Sequence, residues 1–203
     1  MFKKVASDML GLSDIGSVIK PKDYDKVDSD DYIMNEEDEK IYFLIKSKSD
    51  EYCFTNKALV HLDGTSARSK KRFLRRLDYS NYPISDVWLE TAGTIDMDVE
   101  IKFSMDALMY SVDVNKKHLE ELKGLYKALL KIASIQHENA KLFQYAENSL
   151  NIASNSVKYS SDSTSREDQF KAVNQYAFDW MAQMHETYVR KDFGEVFEKF
   201  INN

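Results

Sequence analysis

Arg68, Lys70, Lys71, Arg72, Arg75 and Arg76 lie within nine residues, with no acid among them. Six cations on so short a stretch create a strong local positive field. Such a field suits a phosphate group, an anionic lipid surface, or an acidic segment of the same chain; near a membrane each basic residue adds about 1 kcal/mol. A structural use is equally direct, because Lys and Arg on an edge strand keep it from pairing with other chains. The internal counter-charge at hand is residues 23–39, nine acids against one lysine, Lys26. Oxygen ligands at that density raise the question of calcium. The loop Asp-x-[Asp/Asn]-x-[Asp/Asn]-Gly closed by Glu is absent, however, since no Gly falls between Gly16 and Gly64. A solvated acidic connector is expected there, and no metal.

No other group of residues reads as a reaction centre. The four histidines, His61, His118, His137 and His185, form no His-Glu-x-x-His pair; the stretch from His185 to Val189 lacks the closing His. Six scattered glycines make no phosphate loop, and no Gly-x-Ser-x-Gly elbow occurs. No catalytic residue and no cofactor are therefore expected, and an enzyme is not the expected class. Cys53 is the one cysteine, flanked by Tyr52 and Phe54, and reads as a small buried hydrophobe. A net charge of −6 argues against general nucleic-acid binding. No apolar run approaches the ~20 residues of a membrane span, and the N-terminus has no apolar stretch behind Lys3 and Lys4. A reduced, cytoplasmic setting is expected.

The elements that would position the basic run are strands. Ile41–Lys46, Tyr52–Thr55, Ala58–Leu62 leading into Asp63-Gly64, Thr65–Tyr79 and Pro83–Leu89 alternate with turn residues. From Ile95 to Met105 every odd position is apolar and every even one polar, which is a half-buried antiparallel strand. Leu108–Val114 is its expected hairpin partner. Six or seven short antiparallel strands predict a sandwich or a small barrel. Residues 2–11 carry apolar side chains at helical spacing, read either as a helix docked on the body or as a membrane or partner helix.

From Asn115 the period changes to that of a helix, with Asn115 as N-cap. Leu119, Leu122, Tyr126, Leu129, Ala133, Ala140, Phe143 and Leu150 keep one stripe to Leu150, too long to cap one barrel. A Ser-rich linker, 154–166, leads to a second amphipathic helix, and Asp192 can cap a third short one. Residues 1–134 are thus read as the barrel domain and 135–203 as a helical-hairpin extension. Phe170, Trp180, Met184, Tyr188, Phe197 and Phe200 are its candidate interaction surface, because this aromatic content is high for two helices alone.

Thr55-Asn56 with Ala58-Leu59, Asp63-Gly64-Thr65-Ser66, Ser69-Lys70-Lys71-Arg72, and Tyr82-Pro83-Ile84-Ser85 with Glu90-Thr91-Ala92-Gly93-Thr94 resemble the bacterial pleckstrin-homology-like family. The tail from about Ile135 resembles the helical extension of one branch. The resemblance implies an α+β fold, mostly antiparallel β. Two nearly orthogonal sheets form a partly open barrel capped by a long helix, and a helical hairpin follows. It also implies a binding module that self-associates, in rings, rather than an enzyme. Eukaryotic members that bind phosphoinositides carry Lys and Arg-x-Arg around the first hairpin. Here Lys46–Tyr52 has acids where the Arg pair would stand, so no phosphoinositide is expected at that site. The leading functional expectation is a non-enzymatic homo-oligomeric scaffold that self-associates through its barrel and uses the helical hairpin to hold a protein partner or extend the oligomer. The alternative is a peripheral membrane module that reads anionic headgroups with residues 68–76.

Overall fold

The computed structural model describes residues 14–64, 72–91, 98–157 and 166–201. Its strands are β1 (Ser17–Val18), β2 (Ile41–Lys46), β3 (Glu51–Thr55), β4 (Ala58–Asp63), β5 (Phe73–Asp78), β6 (Ile84–Glu90), β7 (Asp98–Met105) and β8 (Leu108–Asn115). The helices are α1 (Leu119–Val157), α2 (Arg166–Tyr188) and α3 (Gly194–Ile201). The expected 2–11 helix, the first part of the 65–79 segment and residues 92–97 lie outside the described residues, as does most of the linker.

Strands β1 to β5 form one antiparallel sheet in that order, and β6–β7–β8 form a second. The alternation read between Ile95 and Met105 is the burial of β7: Val99, Ile101, Phe103 and Met105 point inward. β7 and β8 pair without interruption through a two-residue turn, Asp106-Ala107, both at positive φ (50° and 59°), the turn that matches strand twist. β1, which sequence patterning did not reveal, knots the two sheets at one corner. Gly16 N–H donates to the Asp113 carbonyl (2.8 Å), and Asn115 N–H donates to the Gly16 carbonyl (2.9 Å). A Cβ at Gly16 would stand 2.7 Å from Ile45 Cγ2 and 2.9 Å from the Asp113 carbonyl oxygen, so the knot requires glycine. Among the described residues β5 and β6 do not pair, so the barrel is partly open.

Aromatic side chains fill the interior. Phe54 meets Phe103 edge-on (5.8 Å between centroids), and Phe103 stacks on Tyr110 (5.0 Å). The Asn115 side chain accepts the Lys117 N–H (3.1 Å) and opens the helical segment. α1 then closes the barrel with Leu122, Leu125, Ala128, Leu129 and Ile132, all fully buried.

Proximity along the backbone divides the chain into two units: Ile135–Arg190, and the residues before it together with those from Lys191 onward. The sequence reading placed 191–203 in the helical extension; the structure returns this segment to the barrel. Phe193 and Phe197 are fully buried there. Tyr42 stacks on Phe197 (5.5 Å) and Tyr79 meets Phe193 edge-on (5.8 Å). Asp192 Oδ1 accepts the Gly194 N–H (2.7 Å), Asn56 Nδ2 donates to Asp192 Oδ2 (2.6 Å), and Phe193 N–H donates to the Asn56 carbonyl (2.8 Å). Helical periodicity correctly marks α3 as amphipathic but carries no information about which surface its apolar face will cover. Within the other unit, Phe143 meets the His185 ring (6.3 Å), Ala146 is buried, and Val173, Ala177, Trp180 and Met184 are half-buried.

Phe197→Ala should therefore destabilise the barrel by roughly 3–5 kcal/mol, the cost of emptying a buried aromatic site. Gly124→Val, which would place a Cβ 2.7 Å from the Phe200 carbonyl oxygen, should unseat α3 as well. Chemical denaturation followed by circular dichroism reads both; an unchanged midpoint for Phe197→Ala would mean that α3 is not part of the cooperative unit.

Candidate interaction surfaces

The structure divides the basic run. Arg68, Lys70 and Lys71 lie outside the described residues. Arg72 pairs with Asp28 and stands 3.6 Å from Glu51 Oε1. Arg76 donates from Nη1 to Glu39 Oε2 (3.0 Å) and from Nε to Asp78 Oδ1 (2.8 Å). Arg75 is exposed. Two of the three described cations thus face acids of the same chain, and two of those acids, Asp28 and Glu39, come from the 23–39 segment.

Most acids of that segment are exposed, but the segment is more than a connector. It winds through short 3-10 turns, Pro21–Lys26, Asp28–Tyr32 and Asn35–Glu37. Val27 and Ile33 anchor it in a cluster with Leu44, Cys53, Val60 and Leu62. Its acids are too dense for the apolar residues to show as a period, which is why the sequence hides the anchoring. Glu39 is fully buried, and its carboxylate accepts from Thr55 Oγ1 (2.6 Å), the Met34 N–H (2.9 Å) and Arg76. Burial alone would raise its pKa, but the Arg76, Thr55 and Met34 hydrogen bonds outweigh burial and hold it below the ordinary value. Glu51 is buried likewise, with Lys46 Nζ at 2.5 Å and the Ser29 N–H at 2.8 Å, and these overcome burial to lower its pKa. Lys46, the cation at the first hairpin, is therefore already paired. Among the described residues no group of three or more His, Cys, Asp or Glu is arranged to hold a metal.

The six candidate residues of the helical surface separate too. Phe170 is 72% exposed, whereas Trp180, Met184 and Tyr188 are half-buried within the hairpin unit. Phe197 belongs to the barrel core and is corrected to a structural residue. Phe200, half-buried, lines a groove of about 340 Å³ with Ile19, Tyr24, Tyr42 and Gly124. Besides Phe170, the hairpin unit exposes Leu142, Tyr145 and Ile152 on α1 and Tyr176 and Phe178 on α2. Spacings of three and seven put Leu142, Tyr145 and Ile152 on one face of α1. Sequence reading passed over Tyr145, Ile152, Tyr176 and Phe178 because it followed other stripes, which hold the half-buried Phe143, Val173, Ala177, Trp180 and Met184. No helix among the described residues is long and apolar enough to cross a membrane.

Two antiparallel sheets in a partly open barrel, closed at one end by a helix, define a pleckstrin-homology (PH) module. The chain belongs to the Bacterial PH domain family, which it matches over residues 9–133, and residues 144–203 match the YvbH-like oligomerisation region. It is similar to the uncharacterized protein YvbH of Bacillus subtilis, with 54% identity over 204 residues covering 100% of each chain. It is also similar to a PH-domain-containing bacterial protein of Exiguobacterium sibiricum, solved by crystallography. That identity is 51%, with a TM-score of 0.86, over 93% of this chain and 100% of the other. A PH-like domain joined to a region of the oligomerisation type is the make-up of an interaction module.

Removing Arg76 leaves the Glu39 charge buried without its cation, so Arg76→Ala should cost about 3 kcal/mol or more in denaturant unfolding. Because the folded-state pKa of Glu39 is lowered, its contribution to stability is full above about pH 4.5 and is lost as pH falls through the lower folded value. Glu39→Gln should flatten that acid limb of the stability profile; an unaltered limb would remove Glu39 from the account.

Proposed function

We propose that the protein is a non-enzymatic, self-associating interaction module of the cytoplasm, a homo-oligomeric scaffold in which the hairpin of residues 135–190 is the principal contact between copies. The observation that carries this reading is the apolar surface of the hairpin unit. Phe170, Tyr145, Ile152 and Phe178 stand in water on two helices whose packed face is already used. Exposed large apolar groups of this kind mark contact surfaces. They fall largely within the stretch that matches the oligomerisation region, which supports the same assignment. That stretch then has two tasks: its hairpin part meets another copy, while α3 anchors its end to the barrel of its own chain.

A binding rather than catalytic role is supported by how the buried carboxylates are used. Glu39 and Glu51 face cations and backbone N–H groups of the same chain, which is a structural employment. The buried Cys53 thiol, its pKa pushed up by burial, fits a reduced compartment. The membrane reading draws less support, since Arg72 and Arg76 are engaged internally.

In solution the full chain should show a mass well above 23.6 kDa by light scattering. The combined change Tyr145→Ser, Ile152→Ser and Phe178→Ser should weaken association about tenfold or more, because interface aromatics carry a large share of contact energy. The circular dichroism of that variant should be unchanged, since all three side chains are exposed. A monomeric wild type at high concentration would refute the proposal.

A further inference from the structure

Asn56 commits its polar groups to segments far apart in sequence. It stands in the tight turn between β3 and β4 and is 4% exposed. Its Oδ1 accepts the Lys40 N–H (2.7 Å), and its backbone N–H donates to the Lys40 carbonyl (3.1 Å). One Nδ2 proton goes to the Asp38 carbonyl (3.2 Å) and the other to Asp192 Oδ2 (2.6 Å). The Asn56 carbonyl accepts the Phe193 N–H (2.8 Å). Both amide protons are thereby used, and they serve different segments.

One set of ties grips the two neighbours of Glu39. Asp38 is held in the left-handed region (φ 59°), which a non-glycine residue keeps only when its surroundings support it. Fixing Asp38 and Lys40 fixes the direction in which the Glu39 side chain leaves the backbone, toward Arg76 Nη1 (3.0 Å) and Thr55 Oγ1 (2.6 Å). The other set goes to Asp192 and Phe193, the residues just before α3. The amide is planar, so its two ends move together. If α3 leaves, one buried Nδ2 proton loses its acceptor, and the amide must turn to reach water. That turn also withdraws Oδ1 from Lys40. We propose that Asn56 is a coupling residue: seating of α3 orients its amide, the amide holds Glu39 on Arg76, and release of α3 loosens that buried ion pair. Because α3 ends the stretch that matches the oligomerisation region, the device carries the state of that stretch's anchor to the charge on β5. A competing route runs through Tyr79, which Phe193 and Phe197 cover and which lies within electrostatic reach of Glu39 and Arg76.

The test measures the part of the acid limb that Glu39 supplies. In each background it is the difference in denaturant unfolding between the chain and its Glu39→Gln partner, both full-length and at one protein concentration. Arg76, Cys53 and Tyr79 are the titratable groups beside Glu39, with Asp78 behind Arg76; they are common to both members of a pair and cancel. A loosened ion pair lets the folded pKa of Glu39 rise toward its unfolded value, which shrinks this difference. The backgrounds are wild type, Phe197→Ala, Asn56→Ala and the last two combined; Phe197→Ala unseats α3 without removing a titratable group. Each single change should lose about half or more of the Glu39-dependent limb, and the combination should lose no more than either. Where Phe197→Ala does not fold, Asp192→Asn replaces it, because its Oδ1 still accepts the Gly194 N–H while its Nδ2 faces Asn56 Nδ2. A wild-type pair that shows no difference overturns the proposal, as does a limb that the α3 changes leave whole. If the α3 change acts as strongly with Asn56 replaced, or the two losses add, α3 acts by admitting water at Tyr79 and Asn56 is not the coupler.

Discussion

The return of the chain to the barrel at Phe193 is the contact on which most of the remaining architecture depends. Tyr42 and Tyr79 belong to the strand body, yet their rings are covered by Phe193 and Phe197, residues more than a hundred positions away in sequence. The hairpin of residues 135–190 is therefore an insertion between two segments of the barrel unit rather than a free tail. Fixing both ends lowers the conformational freedom left to the hairpin, because closing a long loop costs entropy that the aromatic seat has already met. An insertion anchored this way can expose apolar groups to water without carrying the stability of the fold, since the barrel core does not include them.

A second constraint is the fate of charge on β5. Arg72, Arg75 and Arg76 are chemically alike and nearly adjacent, yet Arg76 is half-buried against Glu39, Arg72 pairs with Asp28 at the surface, and Arg75 is exposed. The difference comes from that segment's own burial. Val27 and Ile33 sit in the core cluster, which brings Asp28 and Glu39 to fixed places beside the strand. A buried carboxylate such as Glu39 is tolerable only with several hydrogen bonds and a cation, so Arg76 is required by the fold before it is available to any ligand. The strong field suggested by six cations is accordingly reduced at one end of the run.

The parts of the fold that were legible in the sequence are those set by local period. β7 could be read residue by residue, because one wet face and one dry face leave a period of two, and β8 could be read as its hairpin partner. Asn115 and Asp192 were legible as caps for the same reason: a side-chain oxygen beside the first free N–H groups is a local fact. What was hidden depends on partners far away in sequence. β1 is two residues long and exists through its register with β2 and the Gly16 knot. Phe197 looked like a surface aromatic because an amphipathic helix does not name the surface it covers. Trp88 was hidden within its strand by a bulge between Ser85 and Trp88, where Asp86 takes a positive φ of 49° and shifts the residues that follow to the other face.

Exposed apolar area therefore occurs in two places with different physics. On the hairpin the exposed groups are large aromatic and aliphatic side chains, so a contact there rests on burial of apolar surface. On the barrel, Trp88 and Met109 are set beside Glu90, Glu100 and Lys102, so a contact there is oriented by charge and weakened by ions. A barrel whose buried carboxylates are neutralised internally is suited to such contacts.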